Sequence, residues 1–158
     1  RLLPGGLEIE AASPIAADEI EFLDYADTQS MFARVKEAIR LCYSAGFRKH
    51  DVAIVSYHGR EQSQLLTIDR LGQTSLRHFT GEYDLFGLPV YTPGDVLVES
   101  VYRFKGQAAP AVILTEIDFD VLDDKAARKL FVGATRSAMK LVLILHQKSA
   151  ARLLERLG

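Results

Sequence analysis

Cysteine is nearly absent: Cys42 stands alone in 158 residues. That excludes an internal disulfide and a cysteine-based zinc site. It fits a reducing, cytoplasmic compartment. Tryptophan is missing altogether, and methionine occurs twice. No apolar run approaches the ~18 residues of a membrane span, so no membrane partner is expected. The opening Arg1-Leu2-Leu3-Pro4-Gly5-Gly6 breaks too soon for a secretory leader. Charge of one sign is also lacking: 19 basic residues face 21 acidic ones, for a net −2. Any polyanion must therefore be met by local patches, not by global charge. No G-x-x-x-x-G-K-[ST] stretch occurs, so the loop that cradles nucleotide phosphates is missing. Internal repeats and low-complexity tracts are absent too. The first residue is not Met, and the chain is expected to be a fragment of a longer one.

What is present suits one domain over 1–158. Apolar content of 48% and charged content of 25% are ordinary for a globular core built without staples. Residues 1–19 read as a lead-in segment with a short strand at 7–11. Residues 20–25 alternate weakly, as an edge strand does. Asp27 is a good N-cap for a helix over 28–45. There Met31, Val35, Ala38, Ile39 and Cys42 share one face, and Gly46 ends it. Residues 51–57 form a near-continuous apolar run, the pattern of a strand buried on both faces. A helix is expected over 61–71, with Leu65, Ile68 and Leu71 inward and Gly72 as its stop. Residues 73–95 read as short strands and loops with a small hairpin. Strands follow at 96–101 and 112–115. Asp123 or Asp124 caps a helix to about 138, with Ala127, Leu130, Phe131 and Ala134 inward. A last buried strand, 141–145, precedes a short basic helix over 148–157. Strands alternating with helices predict an α/β fold with a mainly parallel sheet flanked by helices.

Two places carry chemistry. Lys105-Gly106 reads as a tight turn between strands. Glycine there lets backbone N–H groups approach an anion, and lysine adds a point charge. A plain surface turn is the alternative. Thr135-Arg136 follows Gly133-Ala134, small residues that permit close approach. An arginine so placed suits the charge-stabilising role of phosphoryl transfer; the alternative is a surface arginine paired with Glu116 or Asp118. Arg103, Lys105, Arg128, Lys129, Arg136 and Lys140 are candidates for one electropositive zone. No metal site is expected. A nuclease reading, with Glu116, Asp118, Asp120 and Lys125 around Mg²⁺, competes with a solvated acidic loop.

The order of these pieces resembles the second motor domain of superfamily 1 DNA helicases of the UvrD/Rep/PcrA type. Ser100-Val101-Tyr102-Arg103-Phe104-Lys105-Gly106 resembles that family's fifth motif, T-x-H-x-x-K-G-L-E. Phe131-Val132-Gly133-Ala134-Thr135-Arg136-Ser137 resembles its sixth, Y-V-A/G-x-T-R-A. Asp51 to His58 resembles its fourth, a strand ending in Tyr-Arg. The resemblance covers about 20–146. It implies a RecA-like fold, ATP and Mg²⁺ as cofactors, and single-stranded or partly duplex DNA as partner. Tyr57 would stack on adenine and Arg136 would reach the γ-phosphate. Lys105, Gly106, Gln107 and Thr135 would lie along the nucleotide. Ser100, Tyr102 and Arg103 would meet DNA. His58 stands where the family has arginine, so Arg60 is expected to substitute. Ala108 stands at the family's ribose-holding glutamate, and Gln107 is its neighbour.

The resemblance thus implies half of an ATP-dependent helicase or translocase. ATP and Mg²⁺ would be held mainly by an N-terminal motor domain of the same protein, and this chain alone would be inactive. The competing expectation is a RecA-like binding or scaffolding module that has lost catalysis. Tyr57, Lys105 and Arg136 are expected to open together at the C-terminal ends of the strands.

Overall fold

The computed structural model describes residues 2–3, 7–8 and 20–157. Most of the lead-in segment lies outside them. Within it, β1 (Leu2–Leu3) and β2 (Leu7–Glu8) pair antiparallel. The rest of the strand expected at 7–11 falls outside the described residues.

β3 (Ile20–Tyr25) leads to α1 (Thr28–Ser44). The Asp27 side chain accepts from Ser30 N–H at 2.8 Å, and Ser30 Oγ accepts from Asp27 N–H at 2.9 Å. This reciprocal cap satisfies donors the first turn leaves open. β4 (Val52–Ser56) is buried at every position, as its unbroken apolar run requires. β5 (Arg70–Leu71) and β6 (Thr74–Arg77) form a tight antiparallel pair. β7 (Phe79–Tyr83) and β8 (Pro89–Tyr91) make a separate hairpin. β9 (Val96–Ser100), α2 (Val101–Phe104), β10 (Ala109–Ile117), α3 (Asp124–Ala134), β11 (Ser137–His146) and α4 (Gln147–Leu157) complete the chain.

The main sheet has seven strands in the order β3-β11-β10-β4-β9-β6-β5. Neighbours run parallel except β5 with β6. The expected α/β class with a mainly parallel sheet is the observed one. Alternation along β4 sends Ala53 and Val55 toward Leu130 and Ala134 of α3, and Val52 and Ile54 toward Val35, Ile39 and Cys42 of α1. The two faces are thus covered by different helices, the arrangement a parallel sheet needs.

The helix expected over 61–71 does not form. Only a 3₁₀ turn, Leu65–Thr67, interrupts an irregular loop. Leu65 and Leu66 are both buried, and Ser63 Oγ and Gln64 N–H just before them are drawn to the Glu116 carboxylate. Gly72, at φ 61, turns β5 into β6. α3 stops at Ala134, short of 138, because Ser137 pairs with Ala109 and opens β11. The strand expected through 101 ends at Ser100, whose Oγ accepts from Arg103 N–H at 3.2 Å and caps α2.

Candidate nucleotide end and nucleic-acid groove

Parallel register gives the sheet two chemically different ends. Ala111 lies beside Val52, and Thr115 beside Ser56. The starts of β4, β10 and β11 therefore share one end. The carboxyl ends of β4 and β9 form the other, about 17 Å away at ~3.3 Å per residue.

The Lys105 turn and the Arg136 turn meet at the first end. Gln107 N–H donates to Phe104 O at 2.9 Å, closing the turn around Gly106 at φ 84. Ala109 N–H donates to Arg136 O at 3.0 Å, which fastens the two turns together. Lys105, Gly106 and Gln107 are exposed, whereas Arg136 is half-buried. Arg136 Nε is buried with no acceptor among the described residues. A buried N–H left unpaired costs about 1–3 kcal/mol, so this atom fits an anionic group brought by a ligand. Thr135 Oγ1 donates to Val132 O at 3.3 Å and is spent within its own helix. Gly133 does permit a close approach, but of the sheet: a Cβ there would lie 2.7 Å from a Leu114 methyl.

The alternative pairing of Arg136 with Glu116 or Asp118 is not made. Those carboxylates belong to the far end. Glu116 accepts from Ser56 Oγ at 2.8 Å, Ser63 Oγ at 2.5 Å and Gln64 N–H at 2.7 Å. Asp118 lies 2.6 Å from His58 Nε2, and Asp120 lies 2.9 Å from Lys148 Nζ. The three acids thus face three different partners. No cluster of metal-binding side chains occurs among the described residues.

The far end holds a groove of about 430 Å³ between the carboxyl ends of β4 and β9. His58, Arg60, Ser100, Tyr102, Arg103 and Lys129 line it. Tyr102 is 59% exposed. Lys129 Nζ lies 5.0 Å from its ring centroid and 4.1 Å from that of Tyr57. An exposed aromatic face beside an ammonium suits a base and its phosphate. Arg60 leans away: its Nη2 donates to Thr80 O at 3.3 Å. Arg103 sits over Phe79 at 3.6 Å, with Nε 3.5 Å from the buried Glu99.

Tyr57 departs from expectation. It is 4% exposed, with Lys129 over its ring and Phe119 beside it at 6.4 Å. Burial pushes its hydroxyl up to about 12. Its ring offers no open face to a base. It also stands at the groove end, so Tyr57, Lys105 and Arg136 do not share the expected opening. Lys105 and Arg136 come together without it, at the amino ends of β10 and β11 and not at the expected carboxyl ends. Sequence reasoning missed Glu99 and Phe79 as supports of the groove. The available signal was a carboxylate closing the apolar run Val96-Leu97-Val98.

The described residues thus form a mainly parallel sheet between helices, with a cation-bearing turn pair at one end and an aromatic groove at the other. Residues 95–144 fit the family model of the UvrD-like helicase C-terminal domain. The fold is similar to the C-terminal domain of a possible DNA helicase from Lactobacillus plantarum WCFS1. The TM-score is 0.58 at 16% identity, over 86% of this chain and 81% of that one. No curated protein sequence matches the chain. No helix among the described residues is long and apolar enough to cross a membrane.

Proposed function

We propose that this chain is the C-terminal motor domain of an ATP-dependent DNA helicase or translocase. The observation that carries the reading is the unpaired Nε of Arg136, held beside the Lys105-Gly106-Gln107 turn within the matched stretch. Arg136 is the group offered to the γ-phosphate, and Lys105 adds a second charge. Gln107 and the exposed amides around Gly106 face the remainder of the nucleotide. ATP supplies the phosphoryl group whose transfer drives movement. The grip on ATP and Mg²⁺ belongs to a second motor domain of the same protein. Tyr102 and Lys129 receive single-stranded or partly duplex DNA at the other end, while Ser100, buried and capping α2, is left out. Tyr57, being covered, is left out of the nucleotide contacts.

The chain alone should show no magnesium-dependent ATP turnover; a robust signal would overturn the reading. In the protein carrying both motor domains, Arg136→Ala should lower turnover by ~10³-fold or more with ATP binding retained. Unchanged turnover would remove Arg136 from the mechanism. A binding module without catalysis is the second reading. His58, engaged by Asp118 at 2.6 Å, favours it.

A further inference from the structure

The groove is walled by the loop that follows β4 and by α2, which follows β9, and each sends an arginine to the same ring. Arg60 Cζ lies 5.5 Å from the Phe79 centroid, and Arg103 Cζ lies 3.6 Å from it. Both arginines are fixed a second time. Arg60 donates to Thr80 O and rests against Gly81, where a Cβ would fall 2.6 Å from its Nη1. Arg103 faces Glu99, which is 1% exposed and whose second oxygen accepts from Tyr91 OH at 2.9 Å. Phe79 is itself 6% exposed and held between Tyr83 and Tyr91. The hairpin β7–β8 therefore clips both walls.

We propose that Phe79 is a positioning residue that withholds Arg60 and Arg103 from phosphate, so that the groove takes unpaired nucleotides chiefly by stacking on Tyr102. The inference rests on the DNA-binding reading above. Arg60, Arg103 and Lys129 are the permanent cations lining the groove. Two of them are each held by a ring and an oxygen acceptor within the protein. Among the described residues Lys129 touches only the Tyr57 and Tyr102 rings and keeps its ammonium for a phosphate. Each phosphate neutralised on a single strand contributes about −0.7 to the slope of log affinity against log salt. One contact predicts a loss of about threefold between 50 and 200 mM salt. Three contacts predict about twentyfold.

The test is fluorescence anisotropy of the full chain with a short labelled oligothymidylate, titrated at several salt concentrations. Wild type should lose affinity about threefold over that range. Phe79→Leu stays apolar but removes the ring, leaving Arg60 held only by Thr80 O and Arg103 only by Glu99, and should steepen the loss above threefold, with twentyfold as its limit. Phe79→Tyr keeps an aromatic ring under both guanidinium groups and should keep the threefold loss; with the wild-type slope it decides the matter if Phe79→Leu does not fold. A wild-type slope already near three phosphates, Phe79→Leu with the wild-type slope, or Phe79→Tyr with a steeper one, would overturn the inference. No binding by wild type at any salt would overturn the proposed function and this inference with it.

Discussion

Replacing Glu116 tests the buried clamp that shapes the groove-side loop. Its carboxylate is 5% exposed and accepts from Ser56 Oγ, Ser63 Oγ and Gln64 N–H. Ser56 is fully buried, and Ser63 is 2% exposed. Glu116→Ala removes the acceptor of three donors, two of them on buried serines. At about 1 kcal/mol each, the loss is about 3 kcal/mol. For a chain of this size that lowers Tm by about 6–12 °C. Glu116 also has φ 61, the left-handed region. Alanine keeps that strain, whereas glycine relieves about 1 kcal/mol of it. Glu116→Gly should therefore be the more stable of the two, although it loses the same carboxylate. Urea unfolding followed by far-UV circular dichroism and by tyrosine fluorescence measures both. With no tryptophan in the chain, the tyrosine signal is not masked. An alanine variant within 1 kcal/mol of wild type would refute the clamp. A glycine variant less stable than alanine would refute the strain.

Three further outcomes follow from particular contacts. Burial raises the Cys42 thiol to about 11, so at pH 8 only ~10⁻³ of it is thiolate. Ellman's reagent should react slowly with the folded protein and quickly in urea; a fast native reaction would place Cys42 outside the core. Burial alone would raise the Asp118 carboxyl, but the hydrogen bond and charge of His58, with Lys148, outweigh it and hold it low. A lowered carboxyl stabilises the fold above its unfolded value of ~3.9, and the gain is lost as pH falls through the folded value. The stability gap between wild type and Asp118→Asn should be full at pH 6 and close in acid; a constant gap contradicts this. At Gly94 a Cβ would fall 2.5 Å from the Leu76 carbonyl. Gly94→Ala should therefore part β6 from β9 and cost about 1–3 kcal/mol in urea unfolding, and a neutral effect would refute the contact.

The strands and longer helices were legible because their signals are local. An unbroken apolar run over 51–57 predicted β4, buried on both faces. Spacing from Met31 to Cys42 predicted the buried face of α1. The fifth- and sixth-motif letters pointed to Lys105 and Arg136, whose turns do adjoin. The segment 61–71 misled because its leucines mimic a helical stripe. Its polar residues Ser63 and Gln64 instead answer a carboxylate more than fifty positions away, at 116.

Sequence alone determined the class of fold, the order of the elements and the residue types able to meet phosphate and base. Those properties depend on backbone periodicity and turn chemistry within a few residues. Tertiary structure alone decided which candidates share an end of the sheet. It set Arg136 with Lys105, covered Tyr57 with Lys129, and turned Arg60 and Arg103 onto Phe79. The reason is register: the end of the sheet at which a loop emerges is fixed by hydrogen bonds to strands distant in sequence, and no local pattern records that choice.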